Sequence, residues 1–515
     1  MSSSRNANGS GATSFDTHGF FGHPKGLSTL FFTEMWERFS YYGLRPLLVL
    51  FMSAALAQDG FGIERSQASA IVGIYAASVY LMSLPGGWIA DRWLGLRRSI
   101  MSGAVLISLG HISIGLSSFA HFRVTFFIGL ILIVLGTGLL KPNISAIVGD
   151  LYPEGGARRD AGFSIFYMGI NSGSFLGQLV TGFLGEKFGW HWGFGAAGVG
   201  MLIGCGLFYF RSRSTLGTLG MEPSRDPDPL KQAKVERIIK LSVAIGLGVL
   251  ALVVVLAATG TIILNPQVIG KNMTYVLVGI AVLYFAAVFI LGGLTSDEKK
   301  RIFVIAILFI FAAIFWAAFE QAPTSLNLFA RDFTNRVVFG WEVPAVWFQS
   351  VNSLFIILLA PVFAAIWVSL AKRNASLSSP TKFSLGLLFA GIGFALMIPA
   401  ANYVVSSGGS LKVSPWWLIV SYIFQTFGEL SLSPVGLSSM TKLSPRKYVG
   451  QMMGIWFLAT ALGNLIAGLV GGNVDPEKLN QMPTLFIGTT VALIAAAVLL
   501  GGLTPFIRKL IPQDN

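Results

Sequence analysis

The chain has 515 residues, of which 54% are hydrophobic and only 11% are charged, and it carries a formal net charge of +13. A mean hydropathy of +0.70 and 60 glycines leave too little polar surface for a large water-soluble protein, so the composition indicates an all-α polytopic membrane protein. The positive charge would suggest a nucleic-acid partner in a soluble protein. In a membrane protein its distribution over the loops matters more, and we expect no nucleic-acid partner.

The predicted elements start behind a polar stretch. Residues 1–25 are rich in Ser, Gly and Asn, which predicts a disordered cytoplasmic tail. A window of about 20 residues, the length needed to cross a bilayer, then predicts fourteen transmembrane helices. They lie near residues 26–53, 66–91, 96–117, 122–148, 159–184, 190–210, 238–262, 272–294, 302–326, 342–371, 383–402, 414–440, 447–472 and 483–507.

The distribution of Lys and Arg over alternate loops tests this map. Of the 36 such residues, 25 fall on one side of the membrane, 8 fall on the other and 3 lie inside spans. Because Lys and Arg concentrate in cytoplasmic loops, both termini are predicted to be cytoplasmic. Five tryptophans then fall at the outer interface, where an aromatic belt is expected. These are Trp190, Trp192, Trp341, Trp416 and Trp417.

The fourteen predicted helices fall into groups of six, two and six. This pattern suggests an N-terminal six-helix bundle at 26–212, a cytoplasmic linker with an inserted transmembrane hairpin at 213–297, and a C-terminal six-helix bundle at 298–510. Between residues 241 and 294 the only charge is Lys271, in the turn of the hairpin. The hairpin is therefore expected only to pack against the bundles.

Ionisable residues recur in corresponding helices of the two halves. Lys141 lies in the fourth span of the first half and Glu429 in the fourth span of the second, and Glu320 lies in the first span of the second half. Charges in corresponding helices of an internal repeat predict a site between the halves, near the midplane of the membrane. The first span of the first half carries four more charges, Glu34, Glu37, Arg38 and Arg45.

The charges of the first span share one face of the predicted helix. At 100° per residue, six polar or aromatic residues fall within about 140° of one another, and Trp36 and Phe39 face the other side. Inward-facing charges in a membrane are costly and usually functional, which favours a site over the alternative that they only pair with one another to fix helix packing. The six are Glu34, Glu37, Arg38, Tyr41, Tyr42 and Arg45.

Each of the other buried charges precedes a proline. Pro142 follows Lys141, Pro323 follows Glu320 and Pro434 follows Glu429. Proline removes a backbone hydrogen bond and permits a kink, so these helices are predicted to bend where they carry charge. The alternative is that proline is simply common in membrane helices.

Other residue types exclude several kinds of chemistry. The single cysteine, Cys205, can form neither an intramolecular disulfide nor a thiolate metal site, and we expect His111 to be a packed histidine in an apolar helix. The sequence has no GxxxxGK[ST] phosphate loop and neither GxSxG nor HExxH. ATP-driven transport and hydrolysis within the membrane are therefore not expected, and no cofactor is needed.

Six sequence motifs lie in the predicted helices and loops. The first span carries ExxERFxYYG from Glu34 to Gly43, and FYMGINSGSFLG occupies 166–177. GGWIADRWLGLRR occupies 86–98, and GTGLLKPN, FWAAFEQ and TFGELSLSPVG follow further along the chain. These motifs resemble those of the proton-dependent oligopeptide transporter (POT/PTR) family of the major facilitator superfamily. The resemblance covers almost the whole chain, and it implies a major facilitator fold, a monomer and a place in the bacterial cell (inner) membrane.

The resemblance also implies which residues bind the substrate. Arg45 and Lys141 would face the carboxylate of a peptide, and Glu429 and Asn352, with Asn171 nearby, would hold its ammonium group. The second predicted helix lacks the histidine that handles protons in animal members, so a carboxylate is expected to do this here. The aromatic residues that resemble the lining of the family's pocket are Tyr42, Tyr80 and Trp456.

A second group of residues resembles the family's proton-coupling machinery. Glu320 would take the proton and would pair with Arg45 when the site is empty. Three residues of the first span would couple proton binding to the site through Lys141, namely Glu34, Glu37 and Arg38.

Physical reasoning from the residues agrees with this resemblance. A di- or tripeptide zwitterion has opposite charges roughly 7 to 11 Å apart, which cations in one half and a carboxylate in the other would clamp. Because the backbone termini supply most polar contacts, a broad range of di- and tripeptides is expected. A carrier for another small solute, such as nitrate, a sugar or a drug, is the alternative, but it would not need the full ExxER set together with Lys141 and Glu429.

Overall fold

Residues 19–120, 123–224, 227–373, 375 and 377–510 are described by a computed structural model of the chain. Residues 1–18 of the predicted tail lie outside the described residues. Six helices form the first half of the fold. They are α1 (Lys25–Ser53), α2 (Arg65–Ile89), α3 (Leu96–Ala120), α4 (Arg123–Asp150), α5 (Gly156–Phe188) and α6 (Trp190–Leu216).

Two helices follow as an inserted hairpin, α7 (Pro229–Ala258) and α8 (Pro266–Leu291). Each begins with an Asx-Pro pair, because the side chains of Asp228 and Asn265 accept hydrogen bonds from the first free backbone N–H groups. The predicted start of the first hairpin helix at 238 was wrong by nine residues, since the apolar window ignored this capping signal.

The second half contains the remaining elements. They are α9 (Ser296–Phe319), α10 (Asn327–Phe333), β1 (Val337–Val338), β2 (Trp341–Glu342), α11 (Trp347–Lys372), α12 (Ser379–Ala395), α13 (Met397–Ser406), α14 (Trp416–Leu443), α15 (Val449–Gly471) and α16 (Gln481–Leu510). Two predicted spans are each built from two helices. A wide helical turn at Ala322–Leu326 separates α9 from α10, and Leu396 separates α12 from α13.

A short antiparallel hairpin precedes α11, where the sequence predicted a span from residue 342. Val338 pairs with Trp341, and the two residues between them, Phe339 and Gly340, both have positive φ, at 51° and 78°. A two-residue loop of this kind suits the twist of a β-hairpin. The predicted start of this span was wrong because the aromatic and apolar residues of the hairpin resemble the start of an apolar helix.

Eleven helical segments of the described residues are long and apolar enough to cross a membrane. Three more helices, α1, α5 and α14, are 29, 33 and 28 residues long but more polar. Together they give fourteen crossings in the part of the chain that the structure describes. Each of these three polar helices carries a predicted residue of the site, since α1 contains Arg45, α5 contains Asn171 and α14 contains Glu429.

The helices pack into two groups that meet along two contacts. In the first group α1 packs on α5 and α6, and α3 packs on α4; in the second, α12 packs on α14 and α16, and α9 packs on α15. Between the groups, α2 crosses α15 and α5 crosses α11. The α2–α15 crossing is so close that a Cβ on Gly73 would lie 2.8 Å from the Cα of Gly468. The exact boundaries at 212 and 298 stay a prediction.

The inserted hairpin packs against both groups through α8. Near the start of α8, Gln267 Nε2 donates a 2.6 Å hydrogen bond to the carbonyl of Ser66 at the start of α2. Further along, Tyr284 Oη donates to Gln451 Oε1 of α15 at 2.9 Å. The helix therefore contacts one half near its first turn and the other half two-thirds of the way along.

Candidate functional site

The charged stripe of α1 points into the protein. Glu34, Glu37 and Arg38 are each at most 2% exposed. Arg38 Nε lies 3.1 Å from Glu34 Oε1 and also contacts Glu37 Oε2, so each buried charge has an opposite charge beside it. On the other face of the helix, Trp36 packs so closely on α6 that a Cβ on Gly204 would lie 3.0 Å from the Trp36 Cβ. The predicted polar face of the helix is confirmed.

One charge of the stripe pairs with the second half instead. Arg45 Nη2 lies 2.5 Å from Glu320 Oε2 of the second half and 2.6 Å from Asn464 Oδ1 of α15. The amide of Asn464 is oriented by its Nδ2, which donates to the Thr460 carbonyl at 2.9 Å. The stripe therefore does more than pair within α1, because this residue holds the two halves together. Asn464 was missed from the sequence, although an amide in the middle of an apolar span is a usable signal.

Glu320 lies at the end of a broken helix. α9 ends at Phe319, and Glu320 follows with φ −76° and ψ 6° before the wide turn that contains Pro323. The predicted break is thus found here. Pro142 and Pro434, by contrast, lie inside α4 and α14, which continue past them without interruption.

Lys141 reaches an aromatic ring rather than a carboxylate. Its Nζ lies 4.2 Å from the centroid of the Tyr80 ring, a cation–π contact, and it forms no ion pair within the described ranges. Lys141 is in α4 and Tyr80 is in α2. These two helices cross where Pro142, which has no N–H, leaves the Gly138 carbonyl without its usual helical hydrogen-bond partner. A Cβ on Gly86 would lie 1.9 Å from that carbonyl oxygen, so only glycine permits this approach.

The predicted aromatic residues occupy different environments. Tyr42 and Tyr80 are half-buried, and the Arg38 guanidinium carbon lies 5.9 Å from the Tyr42 ring centroid. Trp456 is only 5% exposed, because its ring packs against Phe383 with centroids 6.3 Å apart, inside the second half. A Cβ on Gly436 would lie 2.1 Å from the Trp456 ring. Tyr80 thus lies at the contact between the halves, with its ring centroid 6.4 Å from that of Phe457 in α15, whereas Trp456 packs within the second half.

A carboxylate and two polar groups form a cluster in the second half. Asn352 Nδ2 donates to Glu429 Oε2 at 3.1 Å and to Thr426 Oγ1 at 3.0 Å. Glu429 and Asn352 are both half-buried. The structure therefore brings together the two residues predicted to hold an ammonium group. Thr426 was not anticipated, although it lies three residues before Glu429 on the same helix.

Asn171 forms no hydrogen bond with this cluster among the described residues, although a contact one turn away on α5 reaches the residue next to Asn352. Its Nδ2 donates to the Tyr167 carbonyl one turn earlier, at 3.0 Å. One turn later, Ser174 Oγ lies 2.7 Å from Ser353 Oγ, and Ser353 is the residue next to Asn352. This contact joins α5 to α11 at the level of the site.

Further contacts join the halves at one end of the fold, the end where α1 finishes at Ser53, here called the sealed end. Arg65 Nη1 at the start of α2 lies 2.6 Å from Asp332 Oδ2 and donates to the Val474 carbonyl at 3.0 Å. Asn327 Nδ2 donates to the Pro46 carbonyl at 2.8 Å. These contacts join the halves on the sealed-end side of the site.

A half-buried carboxylate of α5 strengthens the sealed end. Glu186 accepts hydrogen bonds from the backbone N–H groups of Ala345, at 2.9 Å, and Val346, at 3.0 Å, just before α11 begins. Arg336 Nη1 lies 3.3 Å from the same carboxylate. Among the described residues, the hydrogen bonds and ion pairs between the halves all lie at the level of Arg45 and Ser174 or nearer the sealed end.

Two residues outside the site behave as expected for packed groups. His111 is 2% exposed, and its Nε2 lies 2.5 Å from Ser40 Oγ, which confirms the packed histidine. Cys205 is a free thiol whose Sγ lies 3.9 Å from Met101 Sδ.

Sequence and structure comparisons place the chain among known proteins. The sequence profile of the POT family (PTR2) matches residues 97–479. Over 501 residues the chain is 50% identical to the peptide transporter YePEPT of Yersinia enterocolitica subsp. palearctica serotype O:3, covering 97% of this chain and 98% of that one. A di-/tripeptide transporter of Lactococcus lactis subsp. cremoris is 39% identical over 458 residues, covering 87% of this chain and 89% of that one.

A solved structure is similar along almost its whole length. The crystal structure of the peptide transporter POT in complex with sulfate matches with a TM-score of 0.86 at 40% identity, covering 96% of this chain and 98% of that one. This similarity confirms the predicted fold, two six-helix bundles with an inserted two-helix hairpin.

Proposed function

Because the chain belongs to the POT family, we propose that it is a proton-coupled symporter that imports di- and tripeptides by alternating access. Members of this family are multi-pass membrane transporters and not enzymes, and this holds for the chain as well. The names of two similar proteins, a peptide transporter and a di-/tripeptide transporter, support peptides as the substrate class.

The charges around the site support a zwitterionic substrate. Lys141 and Arg45 supply positive charge from the first half, and Glu429, oriented by Asn352, supplies negative charge from the second. The carboxylate of a peptide would bind these two cations. The ammonium group of the same peptide would bind Glu429 in place of water. Asn171 lies one turn from the α5–α11 contact. Binding to both halves at once would draw them together, as alternating access requires.

The single observation that carries the proton coupling is the ion pair between Arg45 and Glu320. A proton on Glu320 removes the negative charge, so Arg45 loses its partner and becomes free to bind a peptide carboxylate. Since Glu320 lies at the break after α9, the loss of this contact also frees the end of the helix to move. Proton and peptide binding are then coupled. Protonation of Glu320 leaves Arg45 free for the peptide carboxylate, and a peptide carboxylate on Arg45 leaves Glu320 free to take up a proton.

The buried cluster of α1 supplies the second part of the coupling. Glu34, Glu37 and Arg38 hold one another, and Lys141 rests on Tyr80 in this state, available to a peptide. When a carboxylate of the cluster is ionised and unpaired, it would attract Lys141 and compete with the peptide for it. Proton binding to the cluster would end that competition.

The sealed end indicates which side of the membrane the site faces in this state. The excess of Lys and Arg in alternate loops supports a cytoplasmic location for both termini, and the sealed end then faces outward. The site would thus open to the cytoplasm in this state, in the inner membrane of a bacterial cell, within a single chain. Inward movement of each proton across about 100 mV would supply about 2.3 kcal/mol.

Uptake into proteoliposomes tests this proposal. The purified protein would be reconstituted with an alkaline lumen, and labelled dialanine would be added to an acidic outer buffer, with unlabelled dialanine, trialanine, alanine, glucose or nitrate as competitors. With no membrane potential applied, we expect accumulation only with the pH gradient, and competition only by the two peptides. Competition by glucose or nitrate equal to that by dialanine would reject the peptide, and accumulation without any gradient would reject the coupling.

A further inference from the structure

A large apolar groove lies on the outside of the second half. It has a volume of about 900 Å³ and is bounded by α8 of the inserted hairpin and by α9, α15 and α16. Its lining is apolar except for four residues. These are Gln321, Asn473, Thr484 and Thr489.

The polar groups inside the groove need nothing from a ligand. Gln321 Nε2 donates to Thr489 Oγ1 at 3.2 Å, and Thr489 Oγ1 donates to the Leu485 carbonyl at 2.9 Å. The other two polar residues lie where the chain passes from α15 to α16, at the sealed end. Because Gln321 and Thr489 bond to each other, the deep part of the groove suits an apolar chain, and the other two polar residues lie at its outer mouth.

The open side of the groove is continuous with the surface that faces lipid. Val282 and Ile310 line the groove and are 62% and 57% exposed, and Val491 beside it on α16 is 60% exposed. At this depth in a bilayer no water is present to fill an apolar space. If the groove were empty, its lining atoms would have no dispersion contacts on their open side. The acyl chains of the surrounding lipid are therefore the expected occupant.

An exposed cation marks where the head group would lie. Lys271 is exposed, and on α8 it precedes Val278 by seven residues and Phe285 by fourteen, so all three share one face. Along the helix axis these residues lie about 10 Å and about 21 Å below Lys271. One leaflet of the hydrocarbon core is about 15 Å deep, and α8 begins at Pro266, so Lys271 lies near the outer interface. Its charge complements a phosphate there.

We propose that the groove binds one phospholipid of the outer leaflet, with an acyl chain between α8 and α16 and the phosphate at Lys271. The chain would pack against the end of α9, from Ala313 to Gln321, directly behind Glu320. This gives the inserted hairpin a role beyond packing, since α8 forms one wall of the lipid site.

Two glycines of α16 allow a matched test. Gly488 lines the groove, Gly502 does not, and neither has any atom within 4 Å of the place where a Cβ would lie. Leucine at either position gains the same helix propensity without a clash. In Gly488→Leu the new side chain enters the groove, whereas in Gly502→Leu it enters lipid elsewhere.

Native mass spectrometry of the protein, purified in mild detergent from membranes of phosphatidylethanolamine and phosphatidylglycerol, would count retained phospholipids. We expect one per chain for the unmodified protein and for Gly502→Leu, and about tenfold lower occupancy for Gly488→Leu, the change that a loss of a few contacts produces. Equal occupancy in the two variants would overturn the proposal. So would an unmodified protein that carries no phospholipid, or a dimer whose second copy covers the groove.

The head-group contact has its own test in the same experiment. Lys271→Gln should keep a bound phospholipid but lower the share of phosphatidylglycerol by about fivefold, because one cation near the surface attracts an anionic lipid by that factor. Lys412→Gln is the control, an exposed lysine in the loop before α14. An unchanged share in Lys271→Gln would overturn the assignment of the phosphate to Lys271.

Discussion

The side chains of Arg45 and Glu320 join the two halves at the level of the site, with Arg45 Nη2 2.5 Å from Glu320 Oε2. Both residues are almost fully buried, at 5% and 6% exposure. Removing one partner of such a pair costs about 3–5 kcal/mol, because the other charge is left without compensation. A peptide carboxylate that replaces the Glu320 carboxylate on Arg45 avoids that cost.

Glu320→Gln is expected to abolish accumulation of dialanine driven by a pH gradient while leaving counterflow of labelled dialanine against an internal pool. The amide cannot take up a proton, but it leaves the binding groups in place. Counterflow and gradient-driven uptake would be measured in the same proteoliposomes. Glu477→Gln, an exposed carboxylate in the loop after α15, is the control. Gradient-driven accumulation at the unmodified rate in Glu320→Gln would contradict the role of this residue.

Glu429 is expected to recognise the amino terminus of the peptide. N-acetyl-dialanine should compete with labelled dialanine at least about 30-fold more weakly than dialanine itself, since losing one partner of a buried charge pair costs 2 kcal/mol or more. In Glu429→Gln the difference between the two competitors should shrink to a few-fold, about the strength of a neutral hydrogen bond. If acetylation weakened competition equally in both proteins, another residue would hold the ammonium group.

Lys141 is expected to need its own geometry as well as its charge. A lysine ammonium is a compact, flexible point charge that exchanges partners, whereas an arginine fork requires two fixed acceptors. Gradient-driven uptake should therefore be lost in Lys141→Ala and strongly reduced in Lys141→Arg. Lys442→Arg, at the exposed end of α14, tests for a general effect of arginine. Full uptake by Lys141→Arg would leave this lysine only a static charge.

Glu186 is expected to stabilise the sealed state. Its carboxylate accepts from Ala345 and Val346 and contacts Arg336, so Glu186→Gln loses one charged acceptor and should destabilise the protein by about 1–3 kcal/mol. Thermal unfolding in detergent would measure this against Glu342→Gln. Glu342 also contacts Arg336, but its side chain is 48% exposed, and such a pair contributes less than about 1 kcal/mol. Equal shifts of the two variants would contradict a special role for Glu186.

Much of the fold and the polar face of α1 could be predicted from the sequence, for a physical reason. A charge inside a membrane helix is rare and must face inward. Glu34, Arg38 and Arg45 therefore indicated which face of α1 points into the protein and that these residues lie within the membrane. The resemblance to the family implied that Glu320 pairs with Arg45, and the structure shows this pair. Both residues lie in the first span of their halves.

Other parts of the site could not be predicted, because they depend on tertiary contacts between neutral groups. Thr426 and Asn464 carry no charge; the amide of Asn464 in an apolar span is a signal for a buried polar site, but its partner Arg45 is known only from the structure, as Asn352 is for Thr426. The position of Trp456 depends on the close approach of Gly436, which the sequence does not reveal.

Local backbone signals account for the errors in the predicted helix boundaries. The turn at Phe339 and Gly340 and the cap at Asp228 are set by a few residues, which a hydropathy window averages away.

Proton movement during peptide uptake tests the central claim most directly. Proteoliposomes with a pH-sensitive dye in the lumen and no initial pH gradient would receive dialanine outside, with a negative membrane potential inside. We expect the lumen to acidify on addition of dialanine and not to acidify with N-acetyl-dialanine or with the Glu320→Gln protein. Uptake of labelled dialanine without acidification of the lumen would contradict it.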